Sequence, residues 1–255
     1  MPMGWLKYKY NTSLDSPQRT EIHKELINKK LFLRRLYTEW YEYFQNQSNL
    51  LPKGKLLELG SGGGFIKNVI PDMISSDVIP LSFNDLTVNA CDMPFENNEI
   101  SGIFMIDTFH HIKDSKAFLD EAYRVLKPKG MIVMIEPANS IWGRFIYKNF
   151  HHEPFDTEGG WIIPSSGPLS DANGALPWIV FQRDFNKFKG LFPNFNIHPF
   201  KYHTPFSYLL SGGLSMKQLF PGFSYGFIRF LDNLFSRISR QISMFVTIVI
   251  EKKIN

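Results

Sequence analysis

The sequence predicts an open α/β fold, and three observations carry that prediction. A short apolar run, Leu56-Leu57-Glu58-Leu59, breaks directly into Gly60-Ser61-Gly62-Gly63-Gly64. This is the pattern of a strand that turns sharply where backbone must approach a ligand. Comparable runs recur at residues 73–77, 86–90, 100–106 and 131–136, and the first and last of these also end in an acid. Between the last two lies an amphipathic helical pattern, with Phe118, Leu119, Ala122, Val125 and Leu126 on one face.

Residues 1–16 read as irregular. Pro17 opens a helical pattern that runs to about Gln45, with Ile27, Leu33, Leu36, Tyr37, Trp40 and Phe44 on or near one face. This segment, within residues 17–50, is expected to pack on a sheet edge; a substrate cap is the alternative. Pro52 and Gly54 mark the link into the core, residues 55–137. Residues 65–70 leave room only for a short helix before Pro71, and residues 78–85, with Pro80, are too short for a crossover helix. A bare loop is expected there. Residues 86–90 form a third strand, 100–106 a fourth and 131–136 a fifth, the helix between the last two being stopped by Pro128 and Gly130.

Residues 138–180 then form an insert rich in Trp, Pro, Gly and Ser, of a length that marks lids or binding loops. A delayed helix follows at 183–192 and a sixth strand at 196–201. A second insert, 203–243, contains Pro205, Gly212-Gly213 and Pro221-Gly222 and leads into a helix with Phe227, Phe230, Leu231, Leu234, Phe235 and Ile238. Arg229, Arg237 and Arg240 decorate that helix. Packing against the domain is expected of it, with a membrane surface as the alternative. Residues 244–251 alternate as a last strand, so the 255 residues read as one domain.

Composition narrows the class. A 44% hydrophobic and 20% charged content is that of a globular protein. The single cysteine, Cys91, excludes an internal disulfide and suits a reducing, cytoplasmic setting. No signal peptide is read at the start, and the late apolar run at 244–250 is too short to span a bilayer. The net charge of +4 comes without a basic stripe, which argues against a nucleic-acid partner. Oligomeric state is not legible.

The glycine loop fits neither common nucleotide pattern. From Gly60 and Gly62 the hydride-cofactor spacing would need a third small residue where Phe65 stands, and the Gly-Lys-Ser/Thr of a P-loop is missing. What matches is E-x-G-x-G-x-G from Glu58, which resembles motif I of the class I S-adenosylmethionine (SAM) methyltransferases. Asp107-Thr108-Phe109-His110-His111 after the fourth strand and Leu126-Lys127-Pro128-Lys129-Gly130 strengthen the resemblance, which is to the methyltransferase type 11 branch over about residues 55–137. It implies a Rossmann-like fold with a mostly parallel seven-stranded sheet, an antiparallel last strand, helices on both faces and inserts after strands five and six. It implies SAM as cofactor, held by Glu58, Gly60, Ser61, Gly62, Gly64, Asp77, Asp92, Met93 and Asp107. In that scheme Asp77 takes the ribose hydroxyls, Asp92 the adenine amino group and the backbone N–H of Met93 the ring.

The acceptor is expected to be a small or carrier-linked molecule methylated at oxygen, with nitrogen or carbon, which need no general base, as the alternative. A sugar of cell-surface polysaccharide biosynthesis is the resemblance's hint. A general base would then help, and His110, His111, His151 and His152 are the candidates. No metal is expected, because adjacent histidine pairs lack metal-ligand spacing. A non-catalytic scaffold or partner subunit is the alternative, but its mark would be a damaged cofactor motif, and the acids and glycines stand intact.

Overall fold

The structure, a computed structural model, describes residues 7–151, 153–164, 167 and 169–254. Its strands are β1 (Lys55–Leu59), β2 (Met73–Asp77), β3 (Leu86–Thr87), β4 (Ile100–Ile106), β5 (Leu126–Pro137), β6 (Phe195–Ile197), β7 (Lys201–His203) and β8 (Phe245–Lys252). They form one sheet in the order β3-β2-β1-β4-β5-β8-β6, with β7 also paired to β8. The first five strands run parallel, and β8 runs antiparallel to β5, β6 and β7. Every residue of β4 is buried, as expected of a central strand covered on both faces.

The mostly parallel sheet with an antiparallel last strand is the one the sequence predicts, with one difference in count. The sixth strand is split. Ile197 pairs with Ile250 and Lys201 with Thr247, so β6 and β7 occupy one position beside β8. Pro199 stands in the gap between them, and a proline cannot donate to the ladder. β2 passes to β3 without a helix, as expected. β3 itself is only two residues, because the chain turns at once: the Asp92 N–H donates to the Asn89 carbonyl at 2.9 Å.

The helices are α1 (Pro17–Lys29), α2 (Leu31–Ser48), α3 (Ser115–Val125), α4 (Ile141–Phe150), α5 (Leu176–Trp178), α6 (Phe185–Leu191), α7 (Ser207–Ser211) and α8 (Tyr225–Ile238), with a π-helical turn at Ile179–Arg183 after α5. The single N-terminal helix expected from periodicity is two helices. Lys30 breaks it with φ −89° and ψ 91°, and its buried ammonium donates to the carbonyls of Gly213 (2.6 Å) and Met216 in the second insert. A buried ammonium needs such acceptors, and a straight helix would not deliver it to them. The first insert is likewise less irregular than expected, since α4 lies within it. Ser140 caps that helix by accepting the Gly143 N–H at 2.8 Å.

The α8 expectation is overturned in part. The helix does pack on the domain, but through Tyr225, Ile228 and Asp232. Phe227, Phe230, Leu234 and Ile238 point outward instead. The inward side is held by charge: Arg229 donates to Glu39 of α2 and to the fully buried Asp232, both at 2.8 Å.

Candidate functional site

A cavity of about 740 Å³ lies beyond the carboxyl ends of β1, β2 and β4. One half is built by the strand ends. Gly60 and Gly62 both have positive φ, at +69° and +50°. A Cβ on Gly60 would strike Thr108 at 2.4 Å, whereas a Cβ on Gly62 would meet nothing nearer than 3.9 Å. The backbone at Gly62 thus faces open cavity. Its N–H donates to Asp77 Oδ2 at 2.9 Å, and Asp77 Oδ1 accepts from Ile79 N–H at 3.0 Å. The Ser61 hydroxyl donates to Glu58.

These acids are held out of water. Burial pushes Glu58 up to about 8, against the Ser61 hydrogen bond and with help from Asp77. Burial also raises Asp77, despite backbone N–H groups that favour its ionised form. Asp107, at the end of β4, is pushed up to about 7 by burial, with His110 opposing and Glu136 and Glu153 assisting. It also sits at φ +53°, in the left-handed region that costs a non-glycine residue about 1 kcal/mol or more. None of the three is ion-paired to a lysine or arginine among the described residues.

The other half of the cavity holds an acid–imidazole cluster. Glu136, fully buried at the end of β5, accepts from the N–H groups of Thr108 (2.9 Å) and Phe109 (2.7 Å) through Oε1. Its Oε2 lies 2.7 Å from His110 Nδ1, and His110 Nε2 lies 3.2 Å from Glu153 Oε2. Burial disfavours charge on His110, but Glu136 and Glu153 outweigh it and hold the imidazole well above its usual range. Glu136 and Glu153, one at each ring nitrogen, thus favour the protonated imidazole. His111 is the reverse case, lowered to about 4 by burial and by the His110 charge. Its Nδ1 is 3.2 Å from the Asp171 carbonyl and its Nε2 is 3.6 Å from Glu153 Oε1. Burial works against the charge of Glu153, yet the hydrogen bond from His110 holds it well below the usual carboxylate range. His151 Nδ1 completes the ring of contacts, 3.5 Å from Glu153 Oε2.

Of the histidines singled out by sequence, the structure brings His110, His111 and His151 together around Glu153, all lining the cavity. His152 lies outside the described residues. Among the cofactor candidates, Glu58, Gly60, Ser61, Gly62, Gly64, Asp77 and Asp107 line the cavity. Asp92 and Met93 do not. Asp92 is exposed on the far side of the turn, and the Met93 N–H is already given to Glu121 Oε1 at 2.7 Å. Asn89 takes the position facing the cavity, with Ala90 and Cys91.

Comparison with known proteins agrees with this geometry. Residues 57–134 match the family model described as a methyltransferase domain. The core of the chain, 78 of its 255 residues, is thus similar to a methyltransferase domain. A demethylmenaquinone methyltransferase of Symbiobacterium thermophilum is 28% identical over 177 residues, 60% of this chain and 69% of its own. Among solved structures, a SAM-dependent methyltransferase of Thermotoga maritima superposes with a TM-score of 0.52 at 18% identity, covering 91% of this chain and 99% of its own. A methyltransferase of Haloferax volcanii, solved in complex with the Trm112 activator, gives 0.53 at 11% identity over 96% of this chain and 100% of its own. Both likenesses concern the fold.

The cavity fits SAM on its own residues. The cofactor is a sulfonium that also carries an ammonium and has no phosphate, and the buried Glu58 and Asp77 and the half-buried Asp107 offer three carboxyls with no lysine or arginine partner among the described residues. Gly62 leaves open space beside them.

Some of the wall was not anticipated. Tyr8, Tyr10 and His23 from the N-terminal segment, Tyr37 and Tyr41 from α2, and Tyr208 from α7 all line the cavity. The N-terminal helices therefore cap the site as well as packing on the sheet: the α1 backbone at Lys24 is so close to Gly63 that a Cβ there would meet it at 2.4 Å. Glu136 was also missed, although the run Ile135-Glu136-Pro137 ends in an acid just as β1 and β2 do.

Proposed function

We propose that this methyltransferase transfers a methyl group from SAM to a hydroxyl oxygen of a small or carrier-linked acceptor, with His151 as the general base and Glu153 as its orienting carboxylate. The observation that carries the reading is the cluster itself. Glu153 is kept ionised, His151 Nδ1 faces it at 3.5 Å, and both line the cavity. In the tautomer whose Nδ1–H is directed at the carboxylate, Nε2 is the ring nitrogen that a ligand's proton would reach, the logic of an acid-oriented imidazole base; the Glu153 backbone N–H, 3.4 Å from the same Nδ1, competes for that position. His110 is unsuited to that role because both its ring nitrogens already face carboxyl oxygens. It serves instead to fix Glu153, while Glu136 fixes His110.

Glu58 and Asp107 would face the cofactor's ammonium, and Asp77 and the Gly62 N–H would frame the ribose. Asn89 replaces Asp92 as the candidate for adenine. SAM supplies a methyl group already activated on sulfur, so the chain's main tasks are alignment and exclusion of water. The aromatic lining from Tyr8, Tyr10, Tyr37 and Tyr208 suits both tasks and suits stacking on a sugar ring. A sugar of cell-surface polysaccharide is accordingly the first acceptor class to try, and demethylmenaquinone, from the likeness to a demethylmenaquinone methyltransferase, is the second.

The test is transfer of labelled methyl from SAM to a panel of glycosides and demethylmenaquinone, with wild-type protein and His151→Asn. Methylation of a glycoside hydroxyl that His151→Asn abolishes while SAM still binds supports the reading. Methylation confined to the quinone, or unchanged by the substitution, contradicts it.

A further inference from the structure

The second insert presents a helix with its polarity reversed. Phe223, Phe227, Phe230, Leu234 and Ile238 recur at spacings of three and four residues, one face of α8 and the turn before it, and they are 88%, 64%, 62%, 44% and 67% exposed. The opposite face buries Asp232 at 0% exposure. A helix of a globular domain turns its apolar stripe to the core. Here the ion pairs of Arg229 anchor the helix and the apolar stripe is left over.

α4 extends the face. Ile141 and Phe145 are exposed, and Trp142 of the same helix packs edge-on against Phe206, which packs edge-on against Phe235 of α8. Contiguous exposed apolar surface of this kind marks an interaction site.

Charge identifies the partner. From residue 185 to residue 250 the sequence contains a single acid, Asp232, and that one is buried and paired. Lys217, Arg237 and Arg240 are exposed around α8, as are Arg144 and Lys148 on α4. A phenylalanine-rich stripe flanked along the chain by cations, with the nearby Glu39 taken up by Arg229, matches an anionic phospholipid interface, where aromatic side chains enter the headgroup boundary and cations meet phosphates. A second copy of the chain is a poorer fit, because a two-fold contact would set these cations against themselves. No helix among the described residues is long and apolar enough to cross a membrane, so the element would lie on the bilayer.

We infer that α8, the turn before it and the exposed side of α4 form a docking face for an anionic membrane surface. The insert carrying this face also supplies Tyr208, Leu214 and Ser215 to the cavity wall, so docking would hold the site beside the bilayer. The inference does not depend on the acceptor or on the base.

Co-sedimentation with vesicles tests it, using phosphatidylcholine alone and phosphatidylcholine mixed with phosphatidylglycerol. Wild-type protein is expected to pellet with the mixed vesicles and to be released by salt. Phe227→Glu/Phe230→Glu should weaken binding at least about tenfold, since two large apolar side chains lose their burial. Arg237→Glu/Arg240→Glu should remove the preference for phosphatidylglycerol. SAM binding serves as the check that each variant is folded. Wild-type protein that stays in the supernatant overturns the inference, as does pelleting that neither variant changes. A dimer in light scattering that Phe227→Glu/Phe230→Glu dissociates, without vesicle binding, would give the face to a second copy.

Discussion

The two halves of the cavity are built in different ways. The cofactor half comes from strand ends β1, β2 and β4, where an acid or glycine must stand at a fixed place relative to the sheet. The other half joins strand-end groups, Glu136 of β5 and His110 just after β4, to Glu153 and His151 of the first insert. In the first half Glu58 and Asp77 are buried and Asp107 is half-buried, and none of the three is paired to a lysine or arginine among the described residues. In the second half each charge already has a partner within the cluster, from Glu136 through His110 to Glu153. On the proposed reading, the first half is completed by a cationic ligand and the second works on whatever lies beside it.

The sharpest break in that comparison is kinetic. His151→Asn is predicted to lower turnover by about 10²–10⁴-fold, the usual weight of a general base, while leaving SAM affinity unchanged. Single-turnover methyl transfer measures the first and calorimetry the second; parallel loss of both would merge the two halves. Next in size is Glu136→Ala. It leaves the buried His110 charge half-paired and two backbone N–H groups unpartnered, and should cost about 3–5 kcal/mol in denaturant unfolding. Removal of a dispensable surface charge would cost far less.

A pH dependence separates the halves further. Glu58 and Asp107 have folded pKa values raised to about 8 and about 7. A raised carboxyl contributes stability that is present below its unfolded pKa and lost as pH rises through the folded value. Ligand-free protein should thus lose stability at these positions between about pH 4 and about pH 8. A bound ammonium would favour their ionised forms, so the thermal shift given by SAM should grow with pH across that window. Glu58→Gln should flatten this growth; a SAM shift independent of pH in wild-type protein would contradict it. The smallest effect expected is at the adenine end. Asn89→Ala should weaken SAM by a few-fold, the weight of one hydrogen bond of about 1 kcal/mol, and Asp92→Ala should leave binding unchanged.

The same contrast explains what could be read from sequence. Glu58, Gly60, Gly62, Asp77 and Asp107 were legible because each follows a short apolar run, and the sheet brings run ends together whatever else the chain does. Asn89 lines the cavity and Asp92, three residues on, does not, and nothing in the local pattern shows that the chain turns at Asn89 and leaves Asp92 exposed. The gathering of His110, His111 and His151 around Glu153 depends on where the first insert folds back, which is a tertiary fact. Likewise, the break at Lys30 follows from carbonyls at Gly213 and Met216, more than 180 residues on. The periodicity of α8 was plain, but periodicity gives a stripe and not the direction it faces.

Calorimetric titration of SAM and of S-adenosylhomocysteine into wild-type protein and Asp77→Ala tests the central claim most directly. Both ligands should bind wild-type protein at one site per chain, and Asp77→Ala should weaken each about tenfold, or about 1.4 kcal/mol. Absence of binding to wild-type protein, or equal affinity in the folded variant, would contradict the assignment of the strand-end cavity to the cofactor.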